Sequence, residues 1–209
     1  MDILAHTLWA GAGIALWRRH APRQPIASRT AALTIGLAAL PDMLPLLPVL
    51  AWWMAGAGGF DVLTAYVMAE PGRASGVPVI ATLLSQNLHC AAHSAVVAGV
   101  VTLVVWKWRG ALWIPLLGWW SHIVVDVFTH SADYYASPVL YPITHRGFDG
   151  VAWNTPWFLA LNYLALGAVG VGLLLAARRG CGPWERTGKG TTRNKVSSTV
   201  RGMQGIRDA

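Results

Sequence analysis

Long apolar stretches constrain this chain more than any other feature of its sequence. They cover roughly residues 2–17, 31–54, 79–106, 111–128 and 156–177, most of them near the ~20 residues a helix needs to cross a bilayer. Hydrocarbon offers the backbone no partners, so an apolar segment of this length must satisfy its own amides, and helix is the state that does so. The expected fold is therefore all-α, a polytopic membrane helical bundle of about five spans. Pro41, Pro45 and Pro48 interrupt the second stretch. Each proline removes a helix hydrogen bond and crowds the preceding turn, so that span is expected to be broken or re-entrant. The balance of 55% apolar to 12% charged residues fits one membrane-embedded domain over residues 1–177 better than a soluble domain of this size.

A formal net charge of +7 would suggest nucleic acid if it formed a stripe on a soluble domain. Its distribution argues otherwise. Eight of the 16 basic residues follow residue 177 (Arg178, Arg179, Arg186, Lys189, Arg193, Lys195, Arg201 and Arg207), in a Gly/Thr/Ser-rich stretch. Residues 178–209 are expected to form a disordered cytoplasmic tail that faces solvent or anionic lipid, with nucleic acid not an expected partner. Lys and Arg close to span ends are retained on the cytoplasmic side. Placing Arg18, Arg19, Arg23, Arg29, Lys107, Arg109 and the tail there leaves only Arg73 and Arg146 outside. That assigns the N-terminus out and the C-terminus in, with residues 55–78 and 129–155 as extracytoplasmic loops. Cys90 and Cys181 then lie on opposite sides and form no disulfide. With no basic n-region before it, the first stretch reads as a retained span.

Several polar residues do not belong in such spans. An ionisable side chain at mid-bilayer costs about 2.5–3.5 kcal/mol on insertion scales, so each one asks for a function or a partner. His6 lies in the first stretch, Asp42 at the proline break, His89 and His93 in the third stretch, and His122 and Asp126 late in the fourth. In the charge-derived topology all of them approach the outer face, although their positions played no part in deriving it. Residues four apart share a helix face, which pairs Asp2 with His6, His89 with His93, and His122 with Asp126 and, while the helix lasts, His130. Imidazoles and carboxylates without an obligatory thiolate suit a divalent ion, Zn first, with Mn or Fe also compatible. Plainer readings exist for each: His6 as a helix-packing residue, Asp42 as a helix cap, and the His89–His93 region as a polar entry beside Ser85, Gln86 and Asn87.

Ala5-His6-Thr7 with Gly11, Leu40-Pro41-Asp42, His89-Cys90-Ala91-Ala92-His93-Ser94, Ser121-His122-Ile123-Val124-Val125-Asp126 and Leu140-Tyr141-Pro142 occur in an order that resembles the LexA-regulated, membrane-bound metal-dependent hydrolases. The likeness covers roughly residues 1–175, and Ser-His-x-x-x-Asp followed by Tyr-Pro is its most specific part. Two departures stand out: Leu44 replaces the family's second acid after Pro-Asp, and the element around His89 is shortened and lacks its Arg and Thr. The order of histidines and acids is also distantly similar to zinc-dependent phospholipase C. The resemblance implies a bacterial inner-membrane enzyme whose His6, Asp42, His89, His93, His122 and Asp126 hold metal.

A divalent ion can lower the pKa of its water to about 7, so hydrolysis is the natural chemistry. A site opening to the extracytoplasmic side of a membrane suggests a lipid or lipid-linked phosphoester as substrate, with Asp42 also acting as general base. His145 and Arg146 are expected to contact its phosphate or to be ordinary interfacial polar residues. A non-enzymatic metal-binding membrane protein or transporter would use the same polar groups. An intramembrane metalloprotease fits less well, because Cys90 stands where His-Glu-x-x-His needs its Glu. Oligomeric state is not legible in the sequence.

Overall fold

The computed structural model describes residues 1–180 except 22, 24, 69–75 and 134–135, with the backbone alone at residues 57, 179 and 180. Glu70, Arg73, Cys181 and nearly all of the expected tail thus lie outside the described residues. Among the described residues the chain is all-helical, with eight α-helices and one π-helical turn (Trp53–Ala57). They are α1 (Ile3–His20), α2 (Ser28–Met43), α3 (Leu46–Trp52), α4 (Phe60–Met68), α5 (Val79–Ala92), α6 (Ala95–Arg109), α7 (Leu116–Thr129) and α8 (Pro156–Gly180). By internal contacts the chain divides into Met1–Gly170 and Val171–Ala209, and the features below belong to the first unit.

Local chemistry sets the helix ends. Asp2 caps α1, its carboxylate accepting from the Ala5 amide at 2.9 Å, and α1 closes on Arg18, Arg19 and His20, charges that suit the dipole at a helix C-terminus. The expected proline break is a 66° bend between α2 and the segment starting at Leu46. There Ser85 Oγ on α5 donates to the Pro45 carbonyl at 2.6 Å. A second bend, also 66°, separates α5 from α6 at His93–Ser94, inside a stretch that reads as one continuous span. No proline causes it. Ser94 instead caps α6 by accepting from the Val97 amide at 3.1 Å, and its hydroxyl donates to the Tyr141 carbonyl. The Ala95 amide is met by the Val139 carbonyl at 2.9 Å, so the loop before Tyr141 supplies partners that the interrupted helix lacks.

Span count differs from the sequence expectation of about five. Pro156–Arg178, 23 residues of mean hydropathy 2.1, is the one described helix long and apolar enough to cross a membrane, and counting each bent pair as one span raises the total to three. In the first stretch α1 has 18 residues but ends on a basic turn and is not among the helices apolar enough to cross, and in the fourth α7, with 14 residues, is shorter than a crossing helix needs. Polar side chains occupy the interior, where His93, Ser94, His122 and Asp126 are each 0% exposed. Large apolar side chains such as Leu103, Leu161 and Leu164 are exposed.

α2 and α7 share the most extensive packing, followed by α1 and α2. Gly118 permits the α2–α7 approach, because a Cβ there would collide with the Thr34 carbonyl and crowd the Ala38 amide. Overpacking of this kind costs about 1–3 kcal/mol. Gly118→Ala is therefore expected to lower the thermal unfolding midpoint in detergent, followed by circular dichroism. Gly99→Ala, where a Cβ meets nothing within 4 Å, should match or exceed the wild type. Equal midpoints for the two variants would refute the close-approach account.

Candidate metal centre

Four side chains from three packed helices converge inside the bundle. Asp42 comes from the last turn of α2, His93 from the C-terminal end of α5, and His122 and Asp126 from one face of α7. One ligand atom from each lies within 4.8 Å of every other. The contacts are His122 Nε2 to His93 Nε2 at 3.0 Å, His122 Nε2 to Asp126 Oδ2 at 3.1 Å and His93 Nε2 to Asp126 Oδ2 at 3.3 Å. Asp42 Oδ1 lies 3.3 Å from His93 Nε2 and 3.6 Å from His122 Nε2. Nitrogen and oxygen donors about 2.0–2.2 Å from a tetrahedral ion are separated by about 3.3–3.6 Å. The observed spacing is close to that of such a shell.

Hydrogen bonding turns these atoms toward a cation. His122 Nδ1 donates to the Ala38 carbonyl at 2.8 Å, and His93 Nδ1 donates to the His89 carbonyl at 2.9 Å. A carbonyl only accepts, so in each neutral ring the proton sits on Nδ1 and the Nε2 lone pair faces the other ring. Two facing lone pairs at 3.0 Å need a proton or a metal ion between them. Backbone anchoring of the distal ring nitrogen is also how metal-ligating histidines are commonly oriented.

Asp126 divides its two oxygens between separate tasks. Oδ1 accepts from the Met1 ammonium at 2.5 Å, from His6 Nε2 at 2.9 Å and from Thr129 Oγ1 at 3.4 Å. Oδ2 faces the two Nε2 atoms and, like Asp42 Oδ2, is buried without a hydrogen bond. A buried carboxylate oxygen left in that condition is costly unless a cation completes it. Both the orphaned oxygens and the donor set therefore fit a divalent ion, whose identity these donors do not select. Asp42, with a side chain 19% exposed against 1% or less for the other three, marks the open side.

The remaining sequence candidates take other places. His6 stacks on His122 with ring centroids 3.8 Å apart and gives its Nε2 to Asp126, so it supports a ligand instead of joining the four. His89 stacks on His93 at 4.0 Å while its carbonyl anchors that ring. Asp2 caps α1 and accepts from Tyr163 at 2.8 Å, apart from the cluster that its spacing to His6 suggests. α7 ends at Thr129, and His130 Nδ1 turns back to the Asp126 carbonyl at 3.1 Å. Burial pushes the His130 imidazole down to about 4, leaving it neutral at physiological pH. His145 packs edge-on to Tyr141 at 5.3 Å, and it and Arg146 are exposed. Sequence reading missed Ser94, whose only signal is a helix-capping residue directly after His93. It also missed the carbonyls of Ala38 and His89, which no side-chain pattern reveals.

No family model matches the chain, and comparison with curated proteins and with solved structures finds no match.

Metal content of the purified protein, measured by inductively coupled plasma mass spectrometry, tests the cluster directly. The double variant His122→Ala, Asp126→Ala is expected to retain essentially none, and full occupancy in it would end the assignment. His6→Gln, which alters the support of Asp126 and the ring stacked on His122, should weaken affinity by about 10–100-fold without abolishing it.

Proposed function

We propose that this chain is a polytopic, membrane-bound, metal-dependent hydrolase acting on a phosphoester of a lipid or lipid-linked substrate. The observation that carries the reading is the convergence of Asp42, His93, His122 and Asp126 at the spacing of a metal shell. Membrane residence is supported by the polar interior and apolar exterior. The motif order, which resembles the membrane-bound metal-dependent hydrolases, supports the reaction class.

Orientation follows from where the helices carry charge. α1 starts at the site and ends on Arg18 and Arg19, α2 starts beside Arg29 and ends at Asp42, and α6 starts beside His93 and ends on Lys107 and Arg109. Each helix has its cations at the end far from the site. With those ends held in the cytoplasm, the site faces the extracytoplasmic side.

A divalent ion, Zn in the first instance, would neutralise phosphoryl oxygens and lower the pKa of a water to near 7. Asp42 through Oδ1, His93, His122 and Asp126 would hold it, with His6 fixing the Asp126 carboxylate. Asp42 has the role of general base: its Oδ1 faces the imidazoles while Oδ2 has no hydrogen bond and is free to accept a proton from the attacking water. A positioned base contributes about 10²–10⁴-fold.

Metal-loaded protein in detergent, offered a panel of phospholipids and lipid-linked phosphates, should release headgroup or phosphate from at least one. Asp42→Asn should lower kcat by about 10²–10⁴-fold while still binding metal. Undiminished turnover in that variant would remove Asp42 from the chemistry. No release from any substrate by the metal-loaded wild type, together with metal flux in liposomes, would replace the hydrolase with a transporter.

A further inference from the structure

We propose that Trp119 is a positioning residue for the metal centre, holding the peptide that carries His93 against the helix that carries His122 and Asp126. The proposal rests on the metal reading of the cluster and gives a part in it to a residue that offers no ligand atom. Trp119 lies on α7 three residues before His122 and seven before Asp126, spacings of about one and two helical turns that put all three on one face. Its indole Nε1 donates to the Ala92 carbonyl at 2.6 Å. Ala92 is the last residue of α5, and its carbonyl belongs to the same peptide unit as the His93 amide.

The bond answers a need at each end. A helix leaves its last four carbonyls without intrahelical partners, and Ala92 is buried, so a donor from within the protein spares this carbonyl the cost of an unpaired buried acceptor. α7 packs with α2, α6 and α1, and α5 packs with α3, α2 and α6. α5 and α7 are thus not closely packed neighbours, and backbone packing alone does not set the distance across which His93 Nε2 meets His122 Nε2 at 3.0 Å. Lone pairs that face each other do not draw two helices together. The indole does, being long, stiff and hinged at only two side-chain torsions, with a single N–H to donate. A shift of His93 relative to α7 would alter two ligand spacings at once, because its Nε2 also lies 3.3 Å from Asp126 Oδ2, and metal–ligand distances hold within about 0.2 Å. The adjacent tryptophan supplies an internal comparison. Trp120 Nε1 donates to Thr102 Oγ1 at 3.0 Å, a bond of the same type from the same helix that ends on α6, which carries none of the four clustered residues.

The test uses the full chain in detergent, stripped of metal by a chelator, then titrated with Zn²⁺ by calorimetry and with Co²⁺ by visible absorption, which reports ligand geometry. Trp119→Phe keeps an aromatic ring and removes the N–H. It is expected to weaken Zn²⁺ binding by about 10–100-fold, the usual effect of losing an outer partner of a metal ligand, and to alter the Co²⁺ spectrum. Trp120→Phe removes the matching bond to α6 and should leave affinity and spectrum as in the wild type. A merely structural role would lower the unfolding midpoint of both variants and leave the metal bound by the folded protein unchanged. Wild-type affinity and spectrum in Trp119→Phe would overturn the proposal, as would equal weakening by Trp120→Phe. Should Trp119→Phe not fold, replacing Trp119 by its isostere β-(3-benzothienyl)alanine, which keeps the shape and lacks the N–H, decides by the same two readings. Zn²⁺ binding absent from the wild type sinks the metal reading and the positioning role with it. Binding in the wild type that survives loss of the N–H unchanged sinks the role of Trp119 alone.

Discussion

A buried carboxylate is the constraint on which this structure turns. Asp126 is fully enclosed, and an ionised carboxylate in that position is untenable unless charge and hydrogen bonds are brought to it. The chain meets the demand with one oxygen held by donors from α1, α7 and the N-terminus, and with the other left facing two imidazoles. The contact that allows α2 against α7, at the one residue without a side chain, brings Asp42 to the same point. Packing and site are thus a single arrangement, in which the fit of two helices sets the distance between ligands.

Interrupted helices are the second device. A straight helix through His93 would continue its direction past the site, whereas the bend at Ser94 lets α5 end at the ligand. Breaking a helix frees backbone groups, and in an apolar setting these must find partners inside the protein. The Val139 carbonyl accepts from the Ala95 amide at one bend, and Ser85 donates to the Pro45 carbonyl at the other. Beyond α7, the amides of Gly150, Val151 and Trp153 donate to the carbonyls of His130, Phe128 and Thr129. Gly150 lies so close to the Phe128 carbonyl that a Cβ would overlap it. The loops around the site therefore complete the helices they touch.

Much of this was readable from residue chemistry. The expense of ionisable groups in apolar stretches singled out His6, Asp42, His89, His93, His122 and Asp126, four of which form the cluster. The i, i+4 rule placed His122 and Asp126 on one face, and Pro41, Pro45 and Pro48 together announced a break in the second stretch. Other features had no local signal. The bend at His93 has no proline, and its capping serine is common in any sequence. Which histidines approach the four-residue cluster and which stand behind them depends on the direction of each ring, and the backbone carbonyls decide that. The count of about five spans is not confirmed among the described residues, because hydropathy counts apolar residues and not the helix actually formed: Thr129 ends α7 after 14 residues, and basic residues occupy the last turn of α1.

The anchoring of His122 on the Ala38 carbonyl has a geometric corollary. Ala38 precedes Asp42 by one helical turn, so α2 supplies both an acid of the cluster and the carbonyl that aims the His122 imidazole of α7. Sliding α2 by a single turn would withdraw the acid and unhook the imidazole in the same movement. The register between these two helices consequently sets the place of the acid and the aim of the imidazole together.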